Sequence, residues 1–387
     1  MRLGDLCTKI GSGATPRGGK EVYKTYGIPL IRSQNILDFS FSKDGLVFID
    51  DTQAKSLDNV TVHSNDVLIN ITGDSVARVC MVPVDYVPAR VNQHVAIVRV
   101  NPKIADSAYI LYFLQFIKSH LLSLASSGAT RNALTKHMIE NIEIRLPPLS
   151  EQIEIGRTLQ ALDSKIANNT AINHHLEQMA QAMFKSWFID FEPFGGKMPD
   201  DWREGTLGDI IKLFDFKRVP LSSSQRDKMT KIYPYYGAAT LMDYVDDYLF
   251  DGIYLLLGED GTVIDDLGFP ILQYVWGKFW VNNHAHVLQG QNGFTVESLY
   301  ILLKQTSVAS IVTGAVQPKI NQTNLKALGV LIPSAEIIKQ FNTVLSPLFT
   351  KIRANQDENL RLAEIRDALL PKLISGELSV ANLSNAK

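Results

Sequence analysis

Cysteine is scarce in this 387-residue chain, represented by Cys7 and Cys80 alone. Two thiols build neither a disulfide framework nor a cysteine-rich zinc site. Long apolar runs are missing too: none approaches the ~20 residues that a membrane-spanning helix needs. The opening Met1-Arg2-Leu3-Gly4-Asp5 carries no apolar leader. Nor is there an excess of one charge, since 38 Lys and Arg face 40 Asp and Glu for a net charge of −2. The balance is uneven, however: net +3 up to Pro147 and net −4 over 199–333. If such a chain grips a polyanion, part of the phosphate neutralisation has to come from a partner. What is present is core-forming material, 45% hydrophobic against 20% charged, enough for about two or three domains. A cytoplasmic protein with packed cores and no membrane association is expected.

The chain reads as a duplication. Leu3-Gly4-Asp5 returns as Leu207-Gly208-Asp209, and Val91-Asn92-Gln93-His94 as Val281-Asn282-Asn283-His284. Ser107-Ala108-Tyr109-Ile110-Leu111 has its counterpart in Ser298-Leu299-Tyr300-Ile301-Leu302. From Gly128 to Ala182 the match to Gly314–Ala368 runs gap-free at one constant offset. Each copy has a front part of short apolar runs and turn residues. Val67–Ile71, Val95–Val100, Tyr254–Leu257 and Ala285–Leu288 predict strands. One amphipathic helix is expected near Ala108–Leu124 and another near Ser298–Val312, while Gly11, Gly13, Gly18, Gly19, Gly73 and Gly261 mark turns.

Each back part predicts a long helix. Pro147-Pro148 stops the preceding strand, Ser150 is the expected N-cap, and Glu151 and Glu154 suit the positive end of the dipole. A seam in alternating steps of three and four runs through Leu159, Leu162, Ile166, Asn169, Asn173, Leu176, Ala180, Met183 and Trp187. The second seam runs Leu345, Leu348, Ile352, Asn355, Asn359, Leu362, Arg366, Leu369 and Leu373. This is the heptad pattern. The second helix is expected to end near Pro371, with Gly376 as its stop. Two such helices in one chain pack most simply antiparallel. Asn169, Asn173, Asn355 and Asn359 would set the register, because seam asparagines need polar partners; Asn173 is expected beside Asn359.

The fold class is therefore α+β: two pseudo-two-fold-related α/β domains separated by two long helices forming an antiparallel coiled coil. The expected boundaries are a first α/β domain at 1–147, the central helix at 148–192 and a linker at 193–202. A second domain follows at 203–333, then the C-terminal helix at 334–378 and a tail at 379–387. At ~1.5 Å per residue the seam from Leu159 to Trp187 is a rod of about 40 Å. That is close to one turn of duplex DNA, the spacing of two half-sites.

The chain resembles the specificity subunit of Type I restriction–modification enzymes. The resemblance rests on Ser127-Gly128-Ala129-Thr130 through Leu134-Thr135-Lys136, Ile142-Glu143-Ile144, and Leu146-Pro147-Pro148-Leu149-Ser150-Glu151-Gln152. Met183-Phe184-Lys185-Ser186-Trp187-Phe188-Ile189-Asp190-Phe191-Glu192-Pro193 and Leu369-Leu370-Pro371-Lys372-Leu373-Ile374-Ser375-Gly376-Glu377-Leu378 complete it. It implies two target recognition domains, each reading half of a split, asymmetric DNA target. It also implies two modification subunits that methylate adenine with S-adenosylmethionine, and restriction subunits that hydrolyse ATP. The specificity subunit itself binds no cofactor and has no chemistry of its own. The second copy departs from the pattern where Val316-Gln317-Pro318-Lys319-Ile320 stands for Thr130–Leu134.

An enzyme would need a catalytic constellation, and the sequence shows none. Gly11–Gly18 lacks the spacing and the preceding strand of a dinucleotide loop. No Asn/Asp-Pro-Pro-aromatic segment or glycine-lysine phosphate loop occurs. His284 and His286 sit two apart without a cysteine or an obvious third ligand, so no metal site is expected. His174-His175 on the long helix reads as a subunit-facing or solvated pair, and Asp200-Asp201 and Asp246-Asp247 read as solvated loop acids.

Base edges are read by Arg or Lys on guanine and Asn or Gln on adenine, while phosphates take Arg, Lys, Ser and Thr. The first-domain candidates for DNA contact are Arg17, Lys20, Lys24, Arg32, Gln34, Asn35, Asn70, Thr72, Ser75, Arg78, Arg90, Thr130, Arg131, Asn132 and Lys136, with Asp74 in the same turn. The second-domain candidates are Lys217, Arg218, Tyr235, Tyr236, Lys278, Gln317, Lys319 and Asn321, with Tyr233 and Asn283 beside them. Asn92/Asn282 and His94/His284 recur in both copies, which favours a shared structural role. The competing reading is a coiled-coil scaffold that joins proteins without reading sequence.

Overall fold

The computed structural model describes residues 1–126, 132–314 and 316–380. Its contacts divide into two units, Met1–Asn169 with the segment from Asp357 onward, and Thr170–Gln356. Each unit holds one α+β lobe and a part of both long helices.

The sheets repeat in order as well as in sequence. In the first unit Cys7–Ser12, Val95–Val100, Val67–Asn70 and Val79–Met81 lie side by side. In the second the order is Ile211–Leu213, Ala285–Gly290, Tyr254–Gly258 and Leu272–Val275. A second sheet orders Val47–Ile49, Ile28–Ile31, Ala89–Val91 and Thr61–Val62, matched by Leu241–Val245, Tyr233–Tyr236, Lys278–Val281 and Phe250–Asp251. Each second sheet contains one parallel pair, Ile31 opposite Val91 and Tyr236 opposite Val281.

The continuous apolar runs follow from burial on both faces. Val67 and Ile69 enter the core that includes helix Ser107–Phe116, whereas Leu68 enters the core of the second sheet. Leu255 and Leu257 are divided from Leu256 in the same way. Alternating side chains thus meet two different apolar layers. Gly13 stands where the chain presses against Val91: a Cβ there would lie 1.9 Å from the Val91 carbonyl oxygen.

The amphipathic helices are shorter than their periodicity suggested. The first is Ser107–Phe116, capped by Asp106, followed after a 64° bend by Lys118–Ser126. The bend lets Leu121 and Ala125 reach the same core as Leu114. The second is Val296–Lys304, after which Thr306 bonds back to Leu302 and only a 3₁₀ turn at Ala309–Ile311 follows. Among the described residues no single helix is long and apolar enough to cross a membrane.

The long helices are Leu149–Phe188 and Ala335–Ser375, each starting one residue inside its expected boundary and ending before it. Ser150 is not the N-cap of the first. Glu151 and Gln152 donate to the Pro148 carbonyl, so Ser150 already lies in the first turn. Pro371 does not end the second, because burial of Leu370, Leu373 and Ile374 holds the last turn; Gly376, at φ +78°, follows its end. Residues 193–202 are not a loose linker. Trp202 is buried against Phe188, Phe191 and Phe194, an aromatic cluster that outweighs the turn signals of Gly195-Gly196.

The asparagine register differs from expectation. Asn173 and Asn359 are each hydrogen-bonded within their own unit. In the first unit Asn169 Nδ2 donates to Asn359 Oδ1 at 2.9 Å and to Glu358 Oε2 at 2.8 Å. In the second, Asn355 Nδ2 donates to Asn173 Oδ1 at 2.8 Å, and Asn173 Nδ2 to the Ile352 carbonyl at 3.1 Å. Under the duplication Asn169 corresponds to Asn355 and Asn359 to Asn173, so one contact is made twice. A lone Asn173–Asn359 contact would strand Asn169 and Asn355, the two most buried of the four.

Candidate nucleic-acid interface

At one end of the first lobe three loops meet, after Ile31, after Asn70 and before Val95. Asn70 ties two of them: its buried Nδ2 donates to the Ser33 carbonyl at 2.9 Å and to Ser75 Oγ at 3.1 Å. Asn92 folds the third, its Oδ1 accepting from the His94 N–H at 3.1 Å. His94 Nδ1 lies 2.6 Å from Thr72 Oγ1, and the Gln93 amide nitrogen lies 3.0 Å from His94 Nε2. A proton on Nδ1 satisfies both contacts, with Gln93 donating and Thr72 accepting. Between the loops an open cleft is lined by Gln34, Asp74 and Arg78.

The second lobe repeats the frame. Asn282 Oδ1 accepts from the His284 N–H at 2.8 Å. His284 Nδ1 lies 2.6 Å from Asp260 Oδ1, and Asp260 occupies the place of Thr72. Gly73 and Gly261, both at positive φ, donate to the equivalent carbonyls of Asn132 and Pro318. The recurrence of Asn92/Asn282 and His94/His284 is therefore structural: the asparagines close the turn that presents the histidines.

Several candidates for DNA contact belong to the frame instead. Arg90 is buried, donating to the Ala54 carbonyl at 2.9 Å and paired with Asp58 at 3.0 Å. Asn35 is fully buried between the Ser42 and Asp44 carbonyls, and Asn70 ties loops as described. Arg218 is enclosed by Glu259 and the Ala285 carbonyl, both at 2.6 Å. Tyr235 is buried, its hydroxyl accepting from Leu221 N–H. Asn321 caps the helix Gln322–Ala327 through Asn324 N–H. Polar residues beside apolar strands read as surface loops in one dimension, whereas each here satisfies a buried backbone group.

Others are partly engaged. Arg32 bonds the Gly45 carbonyl and covers the Tyr23 ring, and Gln34 Nε2 donates to the Asp44 carbonyl. Lys136 pairs with Glu140, Lys319 with Glu259, Lys278 lies over Tyr248, Lys217 over Phe214, and Tyr236 packs on Phe279. Arg17, Lys20, Lys24, Asn132 and Gln317 are exposed. Thr130 and Arg131 lie outside the described residues.

Sequence reasoning missed a buried cluster in the second lobe. His286 is fully buried, with Nδ1 2.6 Å from Asp215 Oδ2 and Nε2 2.7 Å from the Ile320 carbonyl oxygen. Asp215, Glu259 and His286 converge closely enough to offer three metal-ligand atoms, so His286 does have acidic neighbours. Arg218 already pairs with both carboxylates and Lys319 with Glu259, which suits an internally paired core network rather than a cation cage. The partner acids lie tens of residues from His286 in sequence; aligning Thr72 with Asp260 would have exposed the acid beside His284.

A family model described as the Type I restriction modification DNA specificity domain matches residues 1–178 and again 199–364, one match per repeat. The chain belongs to this family. Its relatives include the Type I restriction enzyme MjaIX specificity subunit of Methanocaldococcus jannaschii, 30% identical over 73% of this chain and 72% of that one. The HindI specificity subunit of Haemophilus influenzae is 24% identical over 65% and 72%. The crystal structure of a Type-I restriction-modification system S subunit from M. genitalium shares the fold, with a TM-score of 0.60 and 18% identity over 97% of this chain and 95% of that one. As a Type I specificity chain the protein has the non-catalytic, sequence-specificity role in a restriction–modification system.

Proposed function

We propose that the chain reads a bipartite, asymmetric duplex target, one half-site per lobe, and brings to it two modification subunits. Those subunits supply S-adenosylmethionine-dependent adenine methylation; restriction subunits that consume ATP join the same assembly. One observation carries the reading: a loop frame of the same plan bears different side chains in the two lobes. Strand registers set Ser33-Gln34 against Ala238-Ala239 and Arg78 against Ile271, and the loop frame sets Thr72 against Asp260. Equal frames with unequal tips suit two different half-sites on one duplex. The near-neutral chain leaves part of the phosphate contact to its partners.

The test is methylation-site sequencing with the full chain and its modification subunits. One split motif is expected, and no methylation from the chain alone. Inserting four residues into Leu149–Phe188 or Ala335–Ser375 should widen the unread gap by about two base pairs, ~6 Å at 1.5 Å per residue, with both half-sites unchanged. Methylation without sequence preference would support the scaffold reading instead.

A further inference from the structure

The open cleft of the first lobe holds two opposite charges that do not pair. Arg78 and Asp74 both line it, yet neither side chain has a hydrogen bond or ion pair among the described residues. Most of the polar side chains around them are committed. Ser75 Oγ is held by Asn70, Thr72 by His94, and the Gln34 amide by the Asp44 carbonyl. The walls are thus fixed from within, and a guanidinium and a carboxylate are left for something outside.

Resting on the DNA-reading function above, we infer that this cleft reads a G·C base pair, Arg78 donating to the guanine and Asp74 accepting from the cytosine. In the major groove guanine shows two acceptors, N7 and O6, which match the forked donors of arginine. Cytosine shows the N4 amino donor, which matches a carboxylate. A phosphate fits the cleft poorly, because the Asp74 carboxylate in the same cleft would repel it while Arg78 attracts it. An A·T pair fits poorly too, since the adenine amino group would face the guanidinium donors.

The second lobe lacks the device. Gln34, Asp74 and Arg78 correspond there to Ala239, Thr262 and Ile271, so neither the arginine nor the aspartate has a charged counterpart at its own position. The Ala238 and Thr262 carbonyls both lie 3.3 Å from a Cβ placed at Gly258, which puts these residues at that strand end. This arginine–aspartate device therefore belongs to one half-site only.

The experiment selects bound duplexes from a randomised library with the full chain in complex with its modification subunits. Arg78→Ala should relax one G·C position in one half-site about ten- to a hundred-fold and leave the other half-site intact, which also reports that the variant folds. Arg78→Lys should keep part of the guanine preference, and Asp74→Asn should weaken selection at the same base pair. Weakening of all sequences equally by Arg78→Ala, with a shallower salt dependence, would make Arg78 a phosphate contact and overturn the inference alone. Relaxation at an A·T position would overturn it as well. A wild-type complex without sequence preference would overturn the DNA-reading function itself.

Discussion

After its central strand the first repeat carries Ile71, whose side chain joins the apolar core; the second carries Glu259 at the same place. The difference extends across the strands: Ser12 and Ala96 in one lobe stand where Asp215 and His286 stand in the other. Asp215 accepts from Val287 N–H at 2.8 Å and Gln322 Nε2 at 2.6 Å, besides its contact with His286. Burial pushes its carboxyl up, but the hydrogen bond and charge of His286, the Val287 N–H and Arg218 prevail and hold it below the usual carboxylate range. One backbone frame thus tolerates either an apolar or an ionic interior, provided every charge brought in has its partners. The helix contacts show the reverse arrangement. In the first unit Arg366 pairs with Asp163 at 2.7 Å and stacks on Phe39, and Tyr112 donates to Asp163 at 2.5 Å. The second repeat has Ala180 and Phe349 at those positions, both buried and apolar.

The largest expected effect breaks this contrast directly. Asp215→Ala removes the buried acceptor of His286, the Val287 N–H and Gln322, leaving Glu259 alone to face Arg218 and His286, and should cost about 3–5 kcal/mol in urea unfolding, whereas Ser12→Ala in the first repeat should cost less than about 0.5 kcal/mol. The pair should separate in acid also. Because the folded Asp215 pKa is depressed, its stabilisation is complete above the unfolded carboxylate value and is lost as pH falls through the folded one. Stability measured downward from about pH 4 should therefore fall through this group in the wild type and not in Asp215→Ala. Next in size, Arg366→Ala should cost about 2–3 kcal/mol by loss of the charged hydrogen bond to Asp163; Ala180→Gly, at the equivalent seam position, should cost about 1 kcal/mol. Smallest and most alike should be Asn92→Ala and Asn282→Ala, about 1 kcal/mol each. A large inequality between those two would show that the turns are not one device used twice.

Much of this was legible in one dimension. The duplication fixed two lobes with matching strand orders, the three-four spacing located both long helices, and repeated Asn-His pairs marked a shared turn. The site was less legible. Arg90, Arg218, Asn35 and Tyr235 have the residue types of DNA contacts, yet they satisfy carbonyls, amides and acids brought near by folding. Arg78 and Asp74 were visible as members of one turn, but not as cleft groups without a partner among the described residues. Nor was Glu259 visible as the acid shared by Arg218 and Lys319.

Local order along the chain determined what depends on short spacing: element type, the repeat, the helix seams, and which loops sit in corresponding places. Only the tertiary structure decided which polar groups are used up internally and which remain for a ligand. It also decided that Asn169 meets Asn359 while Asn173 meets Asn355. The reason is that a buried polar group is costly until it is paired, and its partner here lies tens to nearly two hundred residues away, a distance that no periodicity encodes.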